Sequence, residues 1–401
     1  MSNYHFSDPV RDLKPSAIRE IFKYAADPQV VSLSAGNPAP EAFPAERIAA
    51  ITADIFATRA VDALQYSVTE GYPALRRCVG DYLKQNLGIG RDFDDVLITA
   101  GAQQALELLV KTVINRGDVI LCESPSFVGA LNAFRALGAK LVGVPMQPDG
   151  IDTDALEQAM QQHPNARILY TIPNFQNPSG ITMSLEKRRK VYQLAKQYGV
   201  LIAEDNPYGD LRFEGEDIPA IKSFDEDGIV IYDGSFSKVL APGLRVGYAV
   251  APKELLAKMI VCKQGEDVHT AILPQMICYE FMNGDGYEAH LERLRTLYRQ
   301  KAQLMVELLE KHLVPAGITY QPISGGLFFW CRLPDGVDMP DFCTKAVREH
   351  KVAVVPGNAF LTDDAEACQC FRINFSTPTD EAMRLGMERL GKFAAEYIKR
   401  G

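Results

Sequence analysis

Tyr232-Asp-Gly-Ser-Phe-Ser-Lys-Val-Leu-Ala-Pro-Gly-Leu-Arg245 is the most informative stretch of this 401-residue chain. It grows out of residues 229–233, a near-continuously apolar run of the kind found in strands buried on both faces. The run then breaks into small polar residues and glycines. Lys238 stands between two hydroxyls, Ser235 and Ser237, and the cation Arg245. One reading is an ordinary loop lysine. The other is a lysine that condenses with an aldehyde as a Schiff base, while Ser235, Ser237 and Arg245 hold a phosphate. The pattern favours the second, because these neighbours do not make a solvated helix face.

Six further runs, at 96–99, 119–122, 141–144, 168–171, 200–204 and 246–250, also read as buried strands. Helical patterns lie between many of them. Residues 104–114 place Leu106, Leu109, Val110 and Val113 on one face. Residues 185–198 follow Ser184, carry their basic side chains outward, and stop at Gly199. Strand alternating with helix predicts an α/β fold with a mostly parallel seven-stranded sheet flanked by helices. The tail predicts a smaller α+β unit. It has a charge-laced helix at 287–313, short strands near 326–332, 352–355 and 370–375, and a last helix from 379 to about 399. The first 45 residues hold a short helix at 17–25 and the extended piece Ser34-Ala-Gly-Asn-Pro-Ala-Pro40. The expected division is a large domain over 46–285 and a small domain built from 1–45 and 286–401.

Composition narrows the function classes. The chain is 47% apolar and 23% charged, with net charge −9. It is too hydrophobic for disorder and too acidic for a nucleic acid or an anionic membrane as partner. Its eight cysteines are scattered, most of them in apolar runs that predict buried, reduced thiols. Cys368-Gln-Cys370 lacks the spacer of a zinc knuckle, and no metal site is expected. Residues 1–11 have no apolar stretch, so no signal peptide is expected. No apolar run approaches the roughly 18 residues of a membrane span. A cytoplasmic setting is the expectation.

The pattern Ser-x-Ser-Lys-x-x-x-Pro-Gly-x-Arg-x-Gly around Lys238 resembles the cofactor-lysine signature of fold-type I aminotransferases dependent on pyridoxal 5′-phosphate (PLP). Further elements follow in that family's order. Thr99-Ala-Gly-Ala-Gln-Gln-Ala105 joins a strand to a helix, and its glycine and free amides suit an anion. The resemblance puts Gly101, Ala102 and Gln103 at the phosphate, with Ala102 where many relatives carry a hydroxyl. It sets Phe127, in Glu123-Ser-Pro-Ser-Phe127, against the pyridine ring, although a core phenylalanine reads the same way. Asn177, in a turn-forming Asn-Pro-x-Gly segment, would donate to the ring oxygen. Asp205, in Ala203-Glu-Asp-Asn-Pro-Tyr208, ends a buried strand at the edge where ligands bind. It would pair with the pyridine nitrogen, while Glu204 faces the other way by strand alternation. Tyr208 would hydrogen-bond the ring oxygen. Arg372 sits inside the apolar strand Phe371-Arg-Ile-Asn-Phe375, where an unpaired charge is costly. It would grip the substrate α-carboxylate as a fork, a domain-interface ion pair being the alternative.

Three N-terminal segments, Lys14-Pro-Ser-Ala-Ile-Arg19, Ser34-Ala-Gly-Asn-Pro38 and Leu64-Gln-Tyr-Ser-Val-Thr-Glu-Gly71, resemble the branch of α-aminoadipate/kynurenine and multi-substrate aminotransferases. The resemblance implies a homodimer with shared active sites, in which Tyr66 reaches the neighbouring subunit's cofactor phosphate. It puts Gly36 near the substrate and lets Arg19 meet an acidic side chain or swing away. The reaction it implies is ping-pong transamination between an L-amino acid and a 2-oxo acid such as 2-oxoglutarate, with Lys238 moving the α-proton. The donor would be 2-aminoadipate, aromatic or branched aliphatic. Tyr24, Phe328, Phe329 and Trp330 either line the pocket or fill core. Two alternatives stay open: a β-lyase or decarboxylase on the same fold and, more remotely, a non-catalytic PLP-binding ligand sensor.

Overall fold

The structure, a computed structural model, describes residues 4–7, 11, 27–363 and 365–399. The expected helix at 17–25, with Arg19 and Tyr24, lies outside the described residues. The seven expected strands form one sheet, ordered Asp94–Thr99, Gly247–Pro252, Val230–Ser235, Leu201–Asp205, Ala166–Thr171, Val119–Ser124, Lys140–Gln147. A two-residue strand, Gly150–Ile151, adds an eighth at the edge. The five from Val230–Ser235 to Lys140–Gln147 are parallel, and Gly247–Pro252 runs antiparallel to both its neighbours. Their apolar runs match this burial: five of the six residues of Val119–Ser124 are buried. Polar residues come late in the strands. Thr99, Glu123, Thr171, Asp205 and Asp233 are buried near the carboxyl ends of five strands that point the same way. They therefore gather at one edge of the sheet, where open α/β sheets bind ligands.

The helix after Asp94–Thr99 runs Ala102–Val113, starting two residues before the expected 104. Its buried face holds Leu106, Leu109 and Val110 of the expected stripe together with Ala105 and Leu108, while Val113, at the last turn, is only half-buried. Leu185–Tyr198 begins where the Ser184 hydroxyl accepts from Lys187 N and ends at Gly199 in the left-handed region. One expectation for this helix fails. Arg188 points inward and is fully buried. It donates to the carbonyls of Met183, Ile218, Pro219 and Pro173 and to Asn174 Oδ1, at 2.6–3.1 Å. A planar five-donor fork can stitch together loop carbonyls that no backbone N–H reaches, so its burial is compensated.

The tail forms a four-stranded antiparallel sheet in the order Thr319–Tyr320, Phe328–Arg332, Cys370–Asn374, Val355–Pro356. The long helix Tyr287–His312 and the terminal helix Asp380–Ile398 accompany it. Val31–Ser32 pairs in parallel with Val352–Ala353. The extended piece that follows is tied to the tail, with Asn374 N donating to Leu33 O at 2.7 Å and Ser376 Oγ to Asn37 O at 2.6 Å. All eight cysteines are free thiols, but only four are buried. Cys78 and Cys262 lie on helix flanks, and Cys368 and Cys370 at the entry to a strand, where one side stays open to solvent. Among the described residues, no helix is long and apolar enough to cross a membrane, and no group of three or more His, Cys, Asp or Glu could hold a metal ion.

Candidate active site

A cleft of about 510 Å³ opens at the polar edge of the large sheet. Every expected site residue lines it except Gly101, Tyr66 and Arg19, the last outside the described residues. Gly101 stands just behind. It caps Ala102–Val113 with φ 81° and ψ 168°, a region open essentially to glycine alone. A Cβ there would meet Arg245 Nη2 at 2.3 Å. Arg245 reaches this spot from a left-handed backbone, with Nη2 donating to Ala100 O at 3.1 Å and Nη1 to Ser237 Oγ at 3.5 Å. Ser237 N in turn donates to Ser235 Oγ at 3.1 Å. Two serines, a guanidinium and the positive end of a helix thus share one end of the cleft, an arrangement made for an anion.

Lys238 lies beside this cradle. Its Nζ donates to Gly36 O at 2.8 Å. Burial, and then the charges of Arg372 and Arg245, lower its pKa to about 8. Asp205 is buried at the floor. Tyr170 OH donates to its Oδ2 at 2.7 Å, while Oδ1 has no partner. Burial raises its pKa to about 6, and the Tyr170 hydrogen bond pulls the other way. Asn177 Nδ2 is 3.5 Å from the Tyr208 hydroxyl. Glu204 turns away, as alternation predicts, and accepts from Ile221 N and Lys222 N.

Arg372 closes the far end. Its guanidinium carbon lies 4.1 Å from the Phe328 ring centre and 4.9 Å from that of Phe360. Nη1 donates to Asn177 Oδ1 at 2.7 Å and Nη2 to Ser34 O at 2.8 Å, while Nε is buried without a partner. Burial lowers its pKa to about 10, and among the described residues the group acting on it is Tyr208, not a carboxylate. Among the described residues Arg372 forms no domain-interface ion pair, and its buried cation faces the cleft with no anion beside it. Of the aromatic candidates, Phe328 lines the cleft, Phe329 is core, and Trp330 packs edge-on against Phe360.

A family model described as aminotransferase class I and II matches residues 28–390. The chain belongs to that family. This aminotransferase is 37% identical over 400 residues to aromatic-amino-acid aminotransferase 1 of Thermococcus litoralis, covering 99% of this chain and 95% of that one. Among solved structures, the multiple substrate aminotransferase of Thermococcus profundus has a TM-score of 0.94 at 35% identity, covering 99% and 98% of the two chains. The α-aminoadipate aminotransferase of Thermus thermophilus, solved with N-(5′-phosphopyridoxyl)-L-leucine, has a TM-score of 0.89 at 37% identity, covering 98% of each. The last two bear the names of the branch that the N-terminal segments resemble.

Two buried residues on the strands either side of Asp205, neither of them lining the cleft of this aminotransferase, were not foreseen from its sequence. Tyr170 meets Asp205 only because Tyr170 and Ala203 are register partners on neighbouring strands. No local pattern announces that register. Asp233 did carry a signal, an acidic residue closing an apolar run five places before Lys238.

Proposed function

We propose that this aminotransferase holds pyridoxal 5′-phosphate on Lys238 and moves an amino group from an L-amino acid to a 2-oxo acid in a ping-pong cycle. The residues present fit that group. The glycine-capped cradle of Ala102 and Gln103 amides, with Ser235, Ser237 and Arg245, would hold the phosphate. Phe127 would cover the ring, Asn177 and Tyr208 its oxygen, and the partnerless Oδ1 of Asp205 its nitrogen. The cofactor supplies an aldehyde that captures amines and a protonated ring that accepts an electron pair. The observation that carries the reading is one cleft that holds together a low-pKa lysine, a buried carboxylate with a free oxygen and a buried arginine with no carboxylate partner among the described residues.

Each residue then has a task. Arg372 grips the α-carboxylate and fixes the substrate against Lys238. The rings of Phe328 and Phe360 keep water from the guanidinium, which strengthens that grip. Lys238 takes the α-proton as a base and returns it as an acid, a role suited by its lowered pKa. Gly36, whose carbonyl accepts from Lys238, borders the substrate. Arg19 would select acidic donors. The donor class is 2-aminoadipate, aromatic or branched aliphatic amino acids, which the substrates named for the relatives support. Tyr66 is 81% exposed and would serve the neighbouring subunit's cofactor phosphate in a cytoplasmic homodimer. The division into a domain over 46–285 and one from 1–45 plus 286–401 is part of the same proposal, supported by the pairing of Val31–Ser32 with Val352–Ala353.

The test is a half-reaction scan. PLP-loaded protein is mixed with single amino acids, without any 2-oxo acid, while the visible spectrum and products are followed. Loss of the visible band with an equivalent of 2-oxo acid is expected, and the fastest donor names the substrate. No visible band after adding PLP would overturn the proposal. Release of carbon dioxide or a β-fragment in place of the 2-oxo acid would make the enzyme a decarboxylase or lyase.

A further inference from the structure

Asp233 stands one strand over from Asp205. The two are register partners on parallel strands, so both side chains leave the same face of the sheet. Both are buried, at 3% exposure for Asp205 and 1% for Asp233. Among the described residues, neither oxygen of Asp233 has a hydrogen-bond partner, and neither does Oδ1 of Asp205. Three partnerless oxygens on two neighbouring buried carboxyls do not suit two anions, because dry like charges cannot both ionise at neutral pH. Among the described residues, the other elements around Asp233 supply no free counter-charge: Lys222, on the turn 221–224 packed on the same strand, is paired with Asp94 and Asp225. The partner of Asp233 on Gly247–Pro252 is Ala249. The helix Ala102–Val113, packed on its strand, turns Ala105, Leu106 and Leu109 inward. Tyr170 is engaged with Asp205, and Glu123 is held by Thr171, Ile172 N and Gln176. The cleft cations Lys238, Arg245 and Arg372 are directed to Gly36, Ser237 with Ala100, and Asn177 with Ser34.

We propose that Asp233 is a neutral acid that donates its proton in a hydrogen bond to the free oxygen of Asp205, and so is a positioning residue for that carboxylate. Burial and the Asp205 charge both raise the proton affinity of Asp233 well above an ordinary carboxyl. The Tyr170 hydrogen bond favours Asp205 as the anion. One proton therefore serves the pair and sits on Asp233. Two donors, from opposite sides, then fix the Asp205 carboxylate, and Oδ1, which has two lone pairs, keeps the second for the cofactor ring nitrogen. What Asp205 meets in the cleft rests on the PLP reading; the proton on Asp233 does not.

The test uses the full chain as wild type, Asp233→Asn and Asp233→Leu. Infrared spectra at neutral pH, before PLP is added, read the C=O stretch of protonated carboxyls. Part of the wild-type band is expected to be lost in both variants, with buried Glu123, whose pKa burial raises to about 7, contributing to what remains. No wild-type band, or a band that neither substitution lowers, overturns the proposal. PLP affinity is then read from the visible band. Asp233→Asn keeps a neutral donor and is expected to stay within about twofold of wild type. Asp233→Leu, of similar size without a donor, should bind about tenfold more weakly, as for a lost hydrogen bond to a charged group. Equal effects in the two variants, or none in either, overturn the positioning role. A wild type that forms no visible band sinks the PLP reading instead and leaves the infrared result standing.

Discussion

Lys238 keeps its proton only up to about pH 8, because burial and two nearby guanidiniums disfavour the ammonium. The neutral amine is the nucleophile. Capture of PLP by the cofactor-free chain should therefore accelerate as pH rises through about 8 and level off above it, as stopped-flow absorbance would read. A pH-independent rate would contradict this. Lys238→Ala should abolish both the visible band and transamination; turnover at the wild-type rate would move the role elsewhere. At the far end of the cleft, Arg372→Ala removes the buried partner of a carboxylate, at a cost on the order of 3 kcal/mol or more. The loss should appear in substrate affinity during the half-reaction. Arg372→Lys should rescue little of it, because a point cation lacks the two-pronged geometry.

Two elements owe their geometry to one residue each. The turn into Ala102–Val113 passes through a backbone region that only Gly101 fills easily, directly against Arg245. Gly101→Ala is expected to strain the turn by roughly 1–3 kcal/mol and to push Arg245 off the cradle. PLP affinity should fall much more than the folded secondary structure does, which equilibrium binding and circular dichroism would separate. The helix Leu185–Tyr198 is anchored by Arg188, whose donors satisfy five acceptors around the Pro173–Asn174 turn and Ile218–Pro219. Arg188→Met leaves those acceptors dry and unpartnered. A loss on the order of 3 kcal/mol is expected, seen as a lower urea midpoint at unchanged slope. The outward-facing arginine predicted from sequence would cost almost nothing to replace.

Across the molecule, Val61, Leu64 and Tyr66 are 74%, 73% and 81% exposed in the single chain. A cluster of this kind is suited to a second copy, and the shared-site proposal has a direct test. Tyr66→Ala chains and Lys238→Ala chains should each be weakly active or inactive alone. Refolded together, they should form hybrid dimers with one site that holds both native residues, and activity should exceed that of either parent. Activity no greater than the parents' mean would place each site within one chain.

The sequence by itself determined where the strands lie and most of the residues that the cleft gathers. The strands are legible because both faces are buried, so the apolar runs are nearly unbroken and their ends are sharp. Asp205, Lys238 and Arg372 are legible because each interrupts such a run or its exit with a polar group that needs a partner, whereas Asn177 reads locally as a turn and stands out only through the family resemblance. Only the tertiary structure decided who that partner is. A period of two names the face a side chain leaves by, but strand register decides that Tyr170 and Asp233 flank Asp205. Helical spacing names Arg188 as a surface position, but carbonyls from distant loops draw it inward. Nothing in the chain near Arg372 announces the rings of Phe328 and Phe360 that close over it from a facing strand and a separate turn. Local pattern reads burial and chemistry, because these depend on the residue and its near neighbours. Partnership depends on contacts between segments far apart in the chain, which packing alone brings together.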